Sequence, residues 1–329
     1  MKRRTILKLS TGAPLGVALV AAAQTPRVMR LGVLGNRPPT ADARAAAGWQ
    51  ALTDGLKAQG WDEGRNLIVE RRYANGDRSL YRAHAAELLA AKVDVIFAPD
   101  DDAVAAAFDV TKTVPIVMMG IAAVEPGYAR SVARPGGNVT GVVFLALDFV
   151  GKEFELMRAM RPDLRRLGLS AGPSNPALSA IATRLWRETA ESRGVATARL
   201  PDLRTLADIA PMLAAARKEK VQTLLIGVRP FLLGAGWSRI REWAIDNQVA
   251  THSGPWARGE VLIAYGPDGA DLRSAAIRQI DRVLRGANPA EMPIEQPAKF
   301  ELIVSRTIAK ALGLTIPSAV LISATEVIE

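Results

Sequence analysis

An α/β protein built of two doubly wound, Rossmann-like lobes is the fold class that this sequence predicts. Three observations carry the prediction. The chain has 329 residues, enough for two domains at roughly 150 residues each. Short apolar runs alternate with amphipathic stretches of helical length, the pattern of βαβ units around a mainly parallel sheet. The alternation also runs twice, starting again near residue 148 with no Gly/Ser linker between the series. At 49% hydrophobic residues the chain has the side chains to fill two cores.

The first series opens at Arg30–Gly35, an apolar run stopped by glycine and read as a buried strand. Residues 41–59 are Ala-rich and helical, closed by Gly60 as helix C-termini favour. Asn66–Arg72 is a second strand, 79–91 a helix, Asp94–Pro99 a third strand and Asp101–Val110 a helix. Val114–Gly120 and Val139–Leu145 complete five strands. Right-handed crossovers then place helices on both faces of the sheet.

The second series begins with a helix over 148–160 that stops at Arg161 and Pro162. Strand 165–171, helix 177–193, strand 195–200, helix 205–218, strand 221–227 and helix 231–247 follow. Val249–Ser253 and Val261–Tyr265 are further strands. The tail is less regular: helix 270–285, an arm with Pro289, Pro293 and Pro297, strand 300–304 and helix 306–312. Ligands of open α/β sheets sit at the carboxyl ends of strands. Here those ends are 35–37, 99–101, 120–126, 172–175, 227–230 and 253–256.

Residues 1–23 read as an export leader. Lys2, Arg3 and Arg4 form a charged start, Leu9–Ala23 carries no charge, and Ala21, Ala22 and Ala23 suit a signal peptidase, with cleavage expected before Gln24. Arg3–Lys8 resembles the twin-arginine export signature. The expected address is a periplasm, with no lipid anchor because the chain has no Cys. Removing Lys2, Arg3, Arg4 and Lys8 with the leader takes the formal charge of +9 down by four, to +5. With no basic run that interleaves aromatics, no nucleic-acid partner is expected.

Most chemistry is excluded by composition. Zero Cys removes disulfides, thiolate zinc sites, iron–sulfur clusters and a cysteine nucleophile, and two His, His84 and His252, leave no multi-His metal site. No cofactor is expected: Gly234–Gly236 lacks the third glycine and preceding strand of a dinucleotide fingerprint, and no phosphate-binding GxxxxGK[ST] loop occurs. His84, among Ala and Leu on a helix, reads as structural. Gly168–Gly172 fits G-x-S-x-G, so a periplasmic serine hydrolase using Ser170 and His252 is the alternative function, although Pro173 and Pro176 disfavour the required strand–helix elbow. Asp100, Asp101 and Asp102 start a helix; capping accounts for one of them, leaving surplus negative charge for a ligand ammonium group.

Ala133–Gly141, reading ARPGGNVTG, closely resembles a signature of one family of ABC-transporter substrate-binding proteins with the type I periplasmic binding fold. Gly60–Leu67 (GWDEGRNL), Tyr265–Asp268 (YGPD), and Lys299–Val304 with Ala309–Pro317 (KFELIV and AKALGLTIP) resemble further segments of the same family, in family order. The likeness runs from about Arg30 to Glu329. It implies a two-lobed clamshell that closes on a small solute by hinge motion and presents it to a permease with ATPase subunits; a non-enzymatic monomer is expected. It also implies three inter-lobe crossings, expected near 144–148, 253–260 and 288–297. Lobe 1 is then 26–145 plus 261–288, and lobe 2 is 146–260 plus 289–329.

Departures from the family pattern shape the expected ligand. The loop after strand three carries Asp100, Asp101 and Asp102 where the family commonly has small and hydroxyl residues. Glu125 stands where it often has Asp, and Arg229 where it often has Asp. An amino-acid-like zwitterion, carboxylate to Arg229 and amine to Asp100 or Asp101, satisfies both signs. The candidate ligand contacts are Asn36, Asp100, Asp101, Ala122, Glu125, Ser174, Asn175, Arg229, Ser253 and Trp256. Trp256 is read either as a stacking partner, for an aromatic, a cation or a sugar ring, or as hinge packing.

Overall fold

The computed structural model describes residues 27–144, 147–170, 176–227, 232 and 235–329. Its first sheet is parallel and five-stranded: β1 (Met29–Gly35), β2 (Leu67–Tyr73), β3 (Val95–Ala98), β4 (Ile116–Gly120) and β5 (Val139–Val143), in the order β2-β1-β3-β4-β5. That order is doubly wound, and its switch point lies between β1 and β3. Helices α2 (Leu80–Ala90) and α3 (Asp101–Val110) cover one face, burying Leu34, Leu88, Ile96, Ile116 and Met118. Helix α1 (Ala43–Ala58) and the late helix α8 (Gly269–Leu284) cover the other, over Leu31, Val33, Val95 and Val117.

The second sheet has seven strands. They are β6 (Arg166–Ser170), β7 (Ala196–Arg199), β8 (Thr223–Ile226), β9 (Ala250–Ser253), β10 (Ile263–Pro267), β11 (Phe300–Ser305) and β12 (Glu326–Ile328). Their order is β12-β11-β10-β9-β8-β6-β7. The run β7-β6-β8-β9-β10 repeats the winding of the first sheet, and only β11 runs antiparallel to its neighbour β10. Helices α4 (Leu147–Met160) and α5 (Pro176–Glu191) pack on one face, while α6 (Ile209–Lys218) and α7 (Ala235–Asp246) pack on the other. The short α9 (Arg306–Ala311) and α10 (Ser318–Ser323) close the α4 side of β10 and β11.

The quoted family segments make turns and close approaches. In 133–141, Asn138 Nδ2 donates to the Val114 carbonyl at 2.7 Å and Thr140 Oγ1 to that of Met292 at 3.1 Å, while Gly141 sits at φ +136° with no room for a Cβ, which would fall 2.0 Å from the Met118 carbonyl oxygen. In 60–67, Asn66 accepts from Asp62 N at 2.7 Å and donates to the Gly60 carbonyl at 2.9 Å. In 265–268, Asp268 caps α8 by accepting from Ala270 N and Asp271 N.

Two placements differ from the sequence expectation. Strand β10 was expected with the first lobe, yet it pairs with β9 and β11 in the second sheet. The segment 289–295 was expected with the second lobe, yet it lies against the first: Gly136 N donates to the Ala290 carbonyl, and Glu295 exchanges backbone hydrogen bonds with Gly141 and Val143 beside β5. Both segments are apolar enough for either core, and periodicity does not say which sheet a strand joins. The chain therefore passes between sheets after Phe144, between β10 and α8, and between Glu295 and β11.

These three passages share one geometry. Strand β5 leaves its sheet at the carboxyl edge and leads into α4, a helix that precedes β6 and so starts at the carboxyl edge of the second sheet. Strand β10 ends at that same edge and leads into α8, which starts at the carboxyl edge of the first. Residues 294–295 run parallel to β5 and exit beside it into β11, which starts opposite the end of β10. Every connection joins carboxyl edge to carboxyl edge, the edge at which open α/β sheets bind their ligands.

Candidate functional site

At the first sheet's carboxyl edge, the switch-point strands present Asn36 after β1 and Asp100–Asp101 after β3. Asp100 is the N-cap of α3: Oδ1 accepts from Ala103 N at 2.9 Å, and Oδ2 accepts from the Tyr81 hydroxyl at 2.9 Å. Asp102 is engaged by Arg78 at 2.5 Å. Asp101 is different. Its Oδ1 accepts from Ile121 N at 2.9 Å, and among the described residues no cation pairs with it. Gly120 makes the approach possible, because a Cβ there would meet Asp101 Oδ1 at 2.7 Å.

Burial dominates the electrostatics of both acids. It pushes Asp100 up to about 6, against the backbone hydrogen bond from Ala103 and the hydrogen bond from Tyr81. It pushes Asp101 up to about 7, against the Ile121 N–H and aided by the neighbouring Asp100 and Asp102 charges. Loss of water around an acid with no cation beside it disfavours its ionised form. A cationic group entering the site would reverse that.

The remaining candidates divide sharply. Asn36 accepts from Gly76 N at 2.7 Å and so ties the β1 loop to the β2 loop; its side-chain amide group makes no described bond. Ala122 is buried and Glu125 is exposed, both in the loop after β4. Ser253 is fully buried, and its hydroxyl donates to the Ile226 carbonyl at 2.7 Å, which makes it a tie between β9 and β8. Trp256 lies half-buried against the core of the second lobe with its ring folded over Gly254, where a Cβ would sit 2.0 Å away. Ser174, Asn175 and Arg229 lie outside the described residues. Tyr81, Arg78 and Gly120 help to build the acidic site without having been singled out; nothing in a helical Tyr or a strand-end Gly marks such a role in the sequence.

The hydrolase alternative fails on register. Ser170 aligns with Ile226 across β6 and β8, whereas His252 aligns with Leu225 across β9 and β8. Aligned residues of adjacent strands share a face and successive residues alternate, so Ser170 and His252 point to opposite faces of the sheet. Ser170 is fully buried, with Oγ donating to the Pro201 carbonyl at 3.3 Å. His252 Nε2 faces Glu153 Oε1 of α4 at 2.8 Å, in a pair that is buried on both sides. Burial raises the Glu153 carboxyl, with the histidine pulling it back.

Comparison with known proteins agrees with this architecture. A family model described as ABC transporter substrate binding protein matches residues 41–328. A tyrosine-binding protein of Clostridioides difficile (strain R20291) is 30% identical over 116 residues, 35% of this chain. The chain spans only a third of that relative's length, 33%. A conserved domain protein from Vibrio cholerae O1 biovar El Tor superposes with a TM-score of 0.80 at 22% identity, covering 92% of this chain and 100% of that one. An ABC domain in complex with L-Trp from Streptococcus pneumonia gives 0.79 at 23% identity, covering 91% and 99%. The ligand-free, open structure of a substrate-binding protein with adhesive properties from Clostridium difficile gives 0.67 at 21% identity, covering 92% and 99%. At these identities the structural likeness is one of fold.

Proposed function

The chain belongs to the ABC transporter substrate-binding protein family, and on that premise we propose that it captures an amino-acid-like zwitterion between two lobes and delivers it to a membrane permease driven by ATPase subunits. It is a solute-binding protein of a transporter and not an enzyme. Lobe 1 comprises 27–143 with 269–295, and lobe 2 comprises 147–267 with 300–329. The ligand ammonium group docks on Asp101, and its carboxylate meets Arg229 from the facing lobe.

The observation that carries this reading is the partly buried Asp101 carboxylate, with which no cation pairs among the described residues. An acid that costs stability in the empty protein is explained by a cationic partner that arrives with the ligand. The names of two relatives point the same way, one a tyrosine-binding protein and one a domain holding L-Trp. Residues 1–23 act as a cleaved leader of twin-arginine type, which places a monomeric mature protein free in the periplasm. N-terminal sequencing of the exported protein should begin at Gln24, and an intact Met1 would overturn that part.

The decisive experiment is a thermal-shift screen of the mature protein against amino acids, their decarboxylated and deaminated analogues, and sugars. Ligands that bind only the folded form raise its melting temperature by mass action. The expected hits carry both amine and carboxylate. Calorimetry on a hit should show Asp101→Asn weakening the amine-bearing ligand by tenfold or more, with no change for a deaminated analogue. Sugars binding alone, or Asp101→Asn leaving affinity intact, would overturn the zwitterion assignment.

A further inference from the structure

The loop after β2 turns through Ala74, Asn75, Gly76 and Asp77, and Asp77 N donates to the Ala74 carbonyl at 2.8 Å. Both central residues have positive φ, +52° at Asn75 and +88° at Gly76. Positive φ at both centres is the mark of a type I′ turn, and Asn followed by Gly is the pair that tolerates it best. The turn thus accounts for the sequence, and the sequence brings a chemical consequence. Asn–Gly is also the dipeptide that cyclises most readily, because glycine puts no Cβ in the way when its own amide nitrogen attacks the asparagine side chain. Asn75–Gly76 is the one such pair among the chain's seven asparagines.

Both residues are exposed, and nothing lies within 4 Å of the place a Cβ of Gly76 would take, so water reaches the pair. Asn36 holds it. Asn36 Oδ1 accepts from Gly76 N at 2.7 Å, and the Asn36 carbonyl accepts from Asn75 N at 2.7 Å. The Gly76 nitrogen is the atom that must lose its proton and turn onto Asn75 Cγ. With its N–H bonded to a side chain of the neighbouring loop, it does neither until that bond breaks. Asn75 Nδ2, the group that would leave, makes only a longer bond, to the Tyr73 carbonyl at 3.3 Å.

We propose that Asn75–Gly76 is a site of spontaneous deamidation that the Asn36 side chain keeps shut. The step needs no reactant besides water. Gly76 N yields its proton to solvent and bonds to Asn75 Cγ, the Cγ–Nδ2 bond breaks, and the amide nitrogen leaves as ammonia. Water then opens the cyclic imide at either carbonyl, which leaves an aspartate or an isoaspartate at position 75. Either product adds a negative charge to the turn that Asn36 holds. Carrying the Val33–Phe97 alignment of β1 and β3 on by three residues sets Asn36 beside Asp100, so the new charge arrives at the acidic edge of the first sheet. The isoaspartate also lengthens the main chain by one carbon and draws Gly76 N away from Asn36. On the reading that docks the ligand ammonium group on Asp101, ageing of this turn changes the charge of the binding edge; the deamidation itself does not depend on that reading.

The test follows the mass change of an amide becoming an acid. The mature protein, Asn36→Ala and Asn36→Asp are incubated at mildly alkaline pH beside a synthetic peptide of residues 73–78, then digested, and aspartate and isoaspartate at position 75 are quantified by mass spectrometry. The parent should deamidate there at least tenfold more slowly than the peptide. Asn36→Ala should be at least fivefold faster than the parent, and Asn36→Asp, which keeps an oxygen for Gly76 N, should stay within twofold of it. Asn138, buried and bonded to the Val114 carbonyl, reports unfolding in the same digests and should stay intact in all three proteins. If Asn138 reacts in Asn36→Ala, that variant has lost its fold, and the parent-to-peptide ratio and Asn36→Asp decide the question. A parent as fast as the peptide, a folded Asn36→Ala at the parent rate, or a folded Asn36→Asp at least fivefold faster than the parent would overturn the proposal. The readout needs no ligand, so failure of the amino-acid screen leaves this result untouched, and the reverse also holds.

Discussion

Asp101, the proposed seat of the ligand ammonium group, also bears on stability. Its folded-state value of about 7 stands well above the ordinary aspartate value, so the folded protein holds that proton more tightly than the unfolded chain. The stabilisation linked to it is complete below about pH 4 and disappears as the pH rises through about 7. Asp101→Asn removes this loss while keeping an oxygen to accept from Ile121 N. The variant should therefore match the parent near pH 4 and exceed it at pH 8, by on the order of 2 kcal/mol in denaturant melts. It should be the more stable protein and the poorer binder, the trade-off expected where a site carries uncompensated charge. Identical pH profiles for parent and variant would contradict the assignment. The acid was visible in the sequence as one of two Asp more than capping requires. Which Asp was surplus was not, since the choice depends on Tyr81 claiming Asp100 and Arg78 claiming Asp102 through contacts about 20 residues apart.

Among the elements, the legible ones are those whose identity is written into local backbone chemistry. Gly141 is such a case: its φ of +136° and the Met118 carbonyl 2.0 Å from any Cβ leave no residue but glycine. Gly64 shares a positive φ, +85°, but faces open space. Gly141→Ala should cost more than about 3 kcal/mol and Gly64→Ala about 1 kcal/mol, measured by chemical denaturation. Equal costs would show that the β4–β5 approach relaxes freely. The attachment of α4 to β9 was, by contrast, invisible in the sequence. His252 was read as the partner of Ser170 in a hydrolase, whereas its ring points into the sheet's α4 face and meets Glu153. His252→Ala leaves a fully buried carboxylate facing an apolar void and should cost about 3–5 kcal/mol, while Glu153→Gln, which keeps a hydrogen-bonding group, should cost less. Denaturant midpoints at neutral pH would rank the two, and the opposite order would mean that the pair is not what holds α4 down.

At the scale of the whole molecule, sequence periodicity showed how many strands and helices to expect but not how the chain shares them between sheets. An apolar strand such as β10 satisfies either core, and only pairing with β9 and β11 decides. The consequence is that the first lobe is not a contiguous piece of chain. Its β1–β5 sheet is finished by α8, which follows about 120 residues of second-lobe chain and covers the α1 face with Ile277, Ile280, Val283 and Leu284. At about 1.5–3 kcal/mol for each buried aliphatic side chain, those four contribute on the order of 6–12 kcal/mol, comparable with the whole stability of a typical domain. A fragment ending at Phe144 exposes that face and should lack the near-ultraviolet circular dichroism of fixed aromatic packing, even if helical signal remains. The same fragment joined by a short flexible linker to residues 269–295 regains α8 and the strand-like segment beside β5, and should recover cooperative unfolding. If the 27–144 fragment folds cooperatively alone, α8 is an ornament of the first sheet. If only the joined form folds, the first lobe depends on chain that has already passed through the second sheet and returned, and the passages between the sheets are part of its folding unit.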